Sequence, residues 1–305
     1  MDKLKLTIGS RGSQLALWQS RWVAGELAGL GVETTLEIIK TTGDRITDVP
    51  LAQVGTKGLF TKELEEALIE RRIDLAVHSL KDMPTDLPDG LMLAAVPERE
   101  DPRDAIVGAR LAGLAAGARV GTSSLRRAAQ LRAVRPDLHV ESIRGNLDTR
   151  LRKLDEGQYD AIVLAAAGLR RLGWAARIAE LLEPGVMCPA VGQGALAIET
   201  RNGGDAAAAI CGRLTHEPTR QCVEAERAVL RALGGGCQVP IGAHATIDGG
   251  RMNLVAVVAS PDGVQVISHH MHGEPGDAAR LGGEMAAHLL ANGARLVLES
   301  VYGAA

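Results

Sequence analysis

The sequence predicts an α/β protein of two similar lobes followed by a smaller α+β unit, and three observations carry that reading. Short apolar runs alternate with stretches of helical periodicity as far as residue 214. The order strand, glycine-hydroxyl turn, helix occurs at Gly9 and again at Gly121. After residue 215 the pattern changes to one helix, three strands and a last helix.

At 305 residues, with 46% apolar and 23% charged residues, the chain belongs to the soluble globular class and has room for two or three cores. Aromatic residues are only 2% of the whole, so Leu, Val, Ile and Ala must fill those cores. A net charge of −3 gives no general reason to expect nucleic acid or an anionic membrane as partner, so any basic site must be local. The uncharged stretch 184–198 is broken by Pro189, Gly192, Gln193 and Gly194 and falls short of the roughly 18 to 20 apolar residues of a membrane span. The first residues enter a strand pattern without the regions of a secretory signal, which predicts a cytoplasmic protein. Four cysteines, at 188, 211, 222 and 237, form neither a C-x-x-C pair nor a disulfide framework, and the eight histidines show no ligand spacing, so no metal is expected.

Taken in order, residues 4–8 alternate as a strand, and Gly9 to Ser13 opens a helix with Leu15, Trp18 and Trp22 on one face. Such a junction offers free N–H groups to an anion beside Arg11 and Ser13, although a plain N-cap explains it equally well. A second strand is expected at 37–40. Gly55 to Gly58 reads as a turn, with Lys57 in it, before an amphipathic helix over 61–71 whose Leu64, Ala67, Leu68 and Arg71 share helical spacing. A third strand at 73–77 runs into His78-Ser-Leu-Lys-Asp-Met-Pro84, and ligands of open α/β sheets sit at such strand ends, which draws attention to Ser79, Lys81 and Asp82. A polar loop before Pro84 is the plainer alternative.

The plan then repeats. A strand at 118–121 leads through Thr122 and Ser124 into a helix beginning Leu125-Arg-Arg127; a strand near 140 ends in Arg144-Gly-Asn146; a helix over 148–154 precedes a strand at 160–165 and a basic turn, Gly168 to Arg171. Crossovers fall at 94–103 and 186–194, and the strand at 195–199 returns to the first lobe. The expected division is 1–98 plus 195–214, then 99–194, then 215–305. In the last unit a helix over 220–233 precedes strands at 243–247, 252–259 and 264–270 and a helix over 278–291.

Between Arg119 and Arg171 stand ten arginines and one lysine against six acidic residues. Arginine forks bind carboxylate or phosphate in two-point fashion and stay charged, which suits a site holding several anions. Arg126, Arg127, Arg144, Arg150 and Arg171 fall at strand ends and helix starts, whereas Arg132, Arg135 and Arg152 read as solvated helix face. With Tyr159 the only tyrosine, phenylalanine or tryptophan in that segment, single-stranded nucleic acid is the weaker reading.

Glycines frame Cys237 in Gly234-Gly-Gly-Cys-Gln-Val-Pro-Ile-Gly242, which permits an exposed thiol, but an ordinary turn with an incidental buried cysteine is the plainer account of that stretch alone. Residue by residue, the chain is therefore either an enzyme acting on polyanionic small molecules or a non-enzymatic bilobal protein that binds a small anion or senses an effector. A carboxylate set among cations, together with a glycine-framed thiol, favours the enzyme.

The ordered motifs Arg11-Gly-Ser13, Leu15-Ala-Leu-Trp-Gln19, Gly55-Thr-Lys-Gly-Leu-Phe-Thr-Lys-Glu63, Ala76-Val-His-Ser-Leu-Lys-Asp-Met-Pro84, Glu98-Arg-Glu-Asp-Pro-Arg-Asp104, Gly121-Thr-Ser-Ser-Leu-Arg-Arg127, Arg144-Gly-Asn146, Pro189-Ala-Val-Gly-Gln-Gly194 and the Cys237 loop resemble the porphobilinogen deaminase (hydroxymethylbilane synthase) family from end to end. Gly12, Gln14 and Thr56 are modest departures from the family pattern. The resemblance implies two lobes like type II periplasmic binding proteins and a third domain with a three-stranded antiparallel sheet. It implies a dipyrromethane cofactor held by a thioether at Cys237, and head-to-tail joining of four porphobilinogen units with loss of ammonia, giving hydroxymethylbilane. It further implies Asp82 as the catalytic carboxylate. Arg11, Ser13, Lys81, Thr122, Ser124, Arg126, Arg127, Arg144, Arg150 and Arg171 would hold substrate or cofactor carboxylates, with Ser79, Lys57 and Gln193 as further contacts. A monomer acting on a small molecule, with neither nucleic acid nor membrane as partner, is expected.

Overall fold

The computed structural model describes residues 3–45, 58–235 and 239–302. Strand β1 (Lys5–Ser10) turns at Ser13, whose hydroxyl accepts the Ala16 N–H at 3.2 Å and so caps helix α1 (Gln14–Gly29). The buried stripe of α1 is Ala16, Gln19, Ser20, Val23 and Leu27, one position round from the expected Leu15, Trp18 and Trp22, which are half-buried. Small Ala16 and Ser20 let the helix lie close on the sheet, and the bulkier rings cover its flank. Strand β2 (Glu33–Ile38) begins earlier than the expected 37–40, because Gly31, at φ 84°, has already reversed the chain.

After α2 (Thr42–Arg45), helix α3 (Lys62–Ile69) buries Leu64, Ala67 and Leu68 as its spacing predicts. Arg71 does not share that face; it lies exposed beyond the helix end at φ 61°. Strand β3 (Leu75–Ser79) passes into a 3-10 turn, Leu80–Asp82, and β4 (Leu91–Ala95) follows, a strand that the proline- and charge-rich sequence around it conceals.

The second lobe comprises β5 (Asp104–Val107), β6 (Arg119–Gly121), α4 (Leu125–Val134), β7 (His139–Glu141), α5 (Leu147–Asp155), β8 (Ala161–Ala165), α6 (Ala166–Arg171) and β9 (Ile178–Leu182). The segment expected as a basic turn, Gly168 to Arg171, is the end of α6, since Ala166, Ala167 and Leu169 have a buried face to cover. Strand β10 (Leu196–Arg201) then inserts between β3 and β4, antiparallel to β3, and α7 (Ala206–Gly212) packs behind.

The strand orders are β2-β1-β3-β10-β4 and β7-β6-β8-β5-β9, so the two sheets correspond strand for strand in topology. In each, the fourth strand runs against its neighbour and is fed by a crossover from the other lobe: β5 enters the second lobe and β10 returns to the first. The internal repeat legible in the sequence is thus an architectural one, and the chain crosses between lobes twice.

The remaining elements are α8 (Glu217–Ala232), the antiparallel strands β11 (Ile241–Asp248), β12 (Arg251–Ala259) and β13 (Val266–Gly273), then α9 (Ala278–Leu289) and α10 (Arg295–Tyr302). Val229, Leu254, Met285 and Leu289 form the centre of their shared core, each worth roughly 1.5 to 3 kcal/mol of apolar burial. This unit touches both lobes and the second crossover. Gly242 approaches the crossover so closely that a Cβ there would stand 2.8 Å from the Cys188 carbonyl oxygen, and the Ala243 N–H donates to the Pro189 carbonyl at 3.1 Å. Gly263, at φ 78°, lets the β12–β13 turn lie on α4, where Arg132 donates to the Pro261 carbonyl at 2.7 Å. Among the described residues, no helix is long and apolar enough to cross a membrane.

Candidate active site

Helix α4 starts at the end of β6 with Ser124 as its cap, the hydroxyl accepting the Arg127 N–H at 3.4 Å, in parallel with Ser13 on α1. Thr122 is buried and its hydroxyl accepts the Ser124 N–H at 3.2 Å. The first turn of α4 therefore points Arg126 and Arg127 inward, and both are buried. Their counter-charge is Asp104, the first residue of β5, which is fully buried. It accepts from Arg126 Nη1 at 2.7 Å, from Arg127 Nε at 2.8 Å and from Gln193 Nε2 at 2.9 Å. Burial opposes ionisation of Asp104, but the two guanidiniums outweigh it and hold the carboxyl down at about 2.

The 3-10 turn after β3 brings Lys81 and Asp82 to the same place from the first lobe. Lys81 is pushed down to about 8, by desolvation first and by Arg127 and Arg126 in addition, with Asp82 and Asp104 acting the other way. Arg150 is pushed down to about 10 by desolvation and by Arg127 and Arg144, partly offset by Asp82. Lys81, Asp82, Arg126, Arg127, Arg144 and Arg150 thus form one electrostatic group assembled from both lobes, in which Lys81, Arg126 and Arg127 act on Asp104 and Arg144 and Arg150 adjoin Arg127 and Asp82.

The other expected residues lie around that group in three places. Arg11 pairs with Asp44 through Nε at 3.2 Å, and its guanidinium lies 4.1 Å from the Phe60 ring centre. Phe60 is half-buried beneath Arg11 and belongs to no apolar cluster of the described residues. Arg171 donates to the Gly194 carbonyl at 2.7 Å and sits 5.9 Å from the Trp18 ring, spanning from the second lobe to the first; desolvation pushes it down to about 10. Ser79 accepts from Gln19 at 2.9 Å. Gln193 is fully buried and joins the crossovers: its amide donates to the Pro102 carbonyl at 2.6 Å and to Asp104, and accepts from Arg127 at 3.3 Å. Cys237 and Lys57 lie outside the described residues.

Two buried acidic residues of this region leave little trace in the sequence. The signal for Asp104 is a single charge at the start of the apolar run Ala105-Ile-Val107. Glu226 on α8 is the other. It is fully buried, accepts Arg99 Nη1 at 2.6 Å from the first crossover and the Gly192 N–H at 2.7 Å from the second, and takes the Ala245 N–H of β11 at 2.8 Å. Burial works against its charge, yet Arg99 and His244 hold it down at about 2.

The donor set suits a ligand with several carboxylates. Arg126 Nε is buried with no hydrogen-bond partner among the described residues, while Nη1 of the same guanidinium donates to Asp104 and to the Cys188 carbonyl at 2.6 Å. A buried, cationic and unsatisfied N–H costs roughly 1 to 3 kcal/mol or more unless an acceptor reaches it. A dipyrromethane bearing acetate and propionate arms carries acceptors of the kind such an N–H requires.

Two family models cover the chain: "Porphobilinogen deaminase, dipyromethane cofactor binding domain" over residues 6–209 and "Porphobilinogen deaminase, C-terminal domain" over residues 220–291. The porphobilinogen deaminase of Pelobacter propionicus is 53% identical over 306 residues, covering 99% of each chain. That of Syntrophobacter fumaroxidans is 50% identical over 304 residues, covering 98% of each, and that of Gloeobacter violaceus is 54% identical over 306 residues, covering 97% of this chain and 93% of its own. With both models matched in order and half the residues shared with these relatives from end to end, this chain belongs to the porphobilinogen deaminase family.

Proposed function

We propose that the chain is a transferase of porphyrin and heme biosynthesis that joins four porphobilinogen molecules head to tail, releases ammonia at each addition, and yields hydroxymethylbilane when water cleaves the bond between the finished tetrapyrrole and the cofactor. The convergence of Lys81 and Asp82 with Arg126, Arg127, Arg144 and Arg150 is the observation that carries this reading. A dipyrromethane, joined by a thioether at Cys237, would be held through its carboxylates by these arginines together with Lys81, Ser13, Thr122 and Ser124. When bound, it supplies a pyrrole ring with a free α-carbon to which the first substrate unit is joined. Cys237 is favoured as the tether because Cys188, Cys211 and Cys222 are buried and their thiols are pushed up to about 12, 12 and 11 by desolvation, far from the thiolate that forms such a bond.

Loss of ammonia from porphobilinogen leaves a methylene-pyrroleninium cation. Asp82 offers the one carboxylate of the cluster not committed to a buried guanidinium pair, so it stabilises that cation and accepts pyrrole N–H groups. The same carboxyl takes the proton released from the attacked ring carbon and returns a proton to the departing amine in the next addition, which balances the protons over a cycle. Lys81 and the arginines bind the acetate and propionate arms and offset the charge that accumulates as units are added. Arg11 and Arg171 take up the same work at the two edges of the cleft, with Gln193 and Ser79 supporting the crossover and the strand end. The division into 1–98 plus 195–214, 99–194 and 215–305, a monomeric state and a cytoplasmic location complete the proposal.

Intact mass of the purified chain, with and without Cys237→Ser, combined with the pyrrole colour reaction in acidic dimethylaminobenzaldehyde, tests it. The expected result is a mass increment and a colour that both vanish in the variant. An unmodified, colourless chain that binds a small anion without turnover would favour the non-enzymatic bilobal binder.

A further inference from the structure

Helix α8 presents Val223, Arg227 and Arg231 at intervals of four, one stripe along its length. Val223 packs with Leu80 and Met83, the two apolar residues that bracket Lys81 and Asp82. One turn on, Arg227 Nη2 donates to the Pro84 carbonyl at 2.8 Å and to the Thr85 carbonyl at 2.9 Å. A further turn on, Arg231 donates through Nη2 to the Thr85 carbonyl at 2.9 Å and through Nε to Asp86 at 3.0 Å. The opposite side of α8 carries Ala225 and Val229 into the core it shares with β12 and α9, and Glu226 into the crossovers.

We infer that Arg227 and Arg231 are positioning residues: they fasten the turn that carries Asp82 to α8, and so hold the catalytic carboxylate in a fixed place against the C-terminal unit. This rests on the proposed role of Asp82. A rigid registration is what the reaction needs, since a misplacement of about 1 Å can cost on the order of 100-fold in rate. Backbone carbonyls are the acceptors, so the contact depends on the donor at 227 and tolerates sequence change in the turn. One nitrogen of Arg227 serves both carbonyls, which an ammonium can also do, whereas Arg231 uses two arms of its fork.

The test uses the full, cofactor-loaded chain as R227M, R227K and R231M, with intact mass, thermal unfolding, steady-state kinetics on porphobilinogen and amide exchange over residues 83–86. We expect R227M to retain the cofactor mass and a cooperative transition, to exchange the amides of Met83, Thr85 and Asp86 faster, and to lose about 10- to 100-fold in kcat with KM within about twofold. R227K restores most of that loss, and R231M, at an exposed position, loses about threefold. A folded, loaded R227M with wild-type kcat and wild-type exchange would overturn the inference, as would a kcat loss that R227K leaves unrepaired. If R227M does not fold, R231M decides: unchanged kcat and exchange there rejects the coupling. A wild-type chain without cofactor mass or turnover would instead sink the functional reading itself, and the inference with it.

Discussion

Asp104 and Arg126 form a completely buried ion pair, 2.7 Å apart, in which the carboxylate also holds Arg127 and the arginine also grips the carbonyl of Cys188 in the second crossover. One acidic residue at the start of β5 thus fixes the direction of two buried arginines of the second lobe. It is bound in turn by Gln193, so the arginine pair and both crossovers share a single anchor.

Asp104→Asn removes the counter-charge from two buried guanidiniums and should cost ~3 to 5 kcal/mol of stability, measured by urea unfolding. Gln193→Ala, which leaves the ion pairs in place, should cost only about 1 to 3 kcal/mol. Equal effects from the two variants would contradict the central role given to Asp104.

Acid should unfold the chain in a defined window. The carboxyls of Asp104 and Glu226 stand at about 2 in the folded protein, against ordinary values of 3.8 and 4.5. Groups depressed in this way bind protons more readily when unfolded, so the stability they contribute is complete above about pH 4.5 and is lost as pH falls toward 2. Circular dichroism along a pH series should show the transition temperature falling through that interval, and falling less in Glu226→Gln.

Lys81 works in the opposite sense. Its ammonium is depressed from 10.5 to about 8, so the folded chain gives up that proton before the unfolded chain does, and its contribution to stability improves from pH 8 to 10.5. Its charge is lost over the same rise. Affinity for porphobilinogen should therefore weaken above about pH 8, and Lys81→Met should remove that part of the profile while weakening binding at pH 7 by about tenfold. KM across pH 6.5 to 9.5 reads this directly.

Thiol chemistry separates the cysteines. In native Cys237→Ser, an aromatic disulfide reagent at neutral pH should find none of Cys188, Cys211 and Cys222 reactive, and all three after unfolding, because desolvation holds their thiols protonated. Rapid native labelling at any of the three would reopen the choice of tether.

Asp82→Asn keeps the size but removes the charge, one of the two acceptor oxygens and the proton carrier. It should retain the fold and the cofactor mass and lose on the order of 100- to 10,000-fold in turnover. Near-normal kcat in a loaded variant would assign the carboxylate's work elsewhere.

The sequence by itself determined the two-lobe repeat, the change of character after residue 215, the capping serines of α1 and α4 and the arginine-rich second lobe, because each is a local pattern of apolar period, turn residue or charge. It did not reveal β4, β5 and β9, which are short and close to the crossovers, nor the stripe of α1 that meets the sheet, since a tryptophan can be apolar and still sit at the rim. Tertiary structure alone decided which arginines are committed and which face outward. Arg126 and Arg127 depend on Asp104 some twenty residues earlier, Arg99 on Glu226 more than a hundred residues later, and Arg227 on carbonyls that carry no sequence signal at all. Residues this far apart in the chain acquire a common role only when the chain's double crossing between lobes brings them within hydrogen-bonding distance, where burial makes every unpaired charge costly.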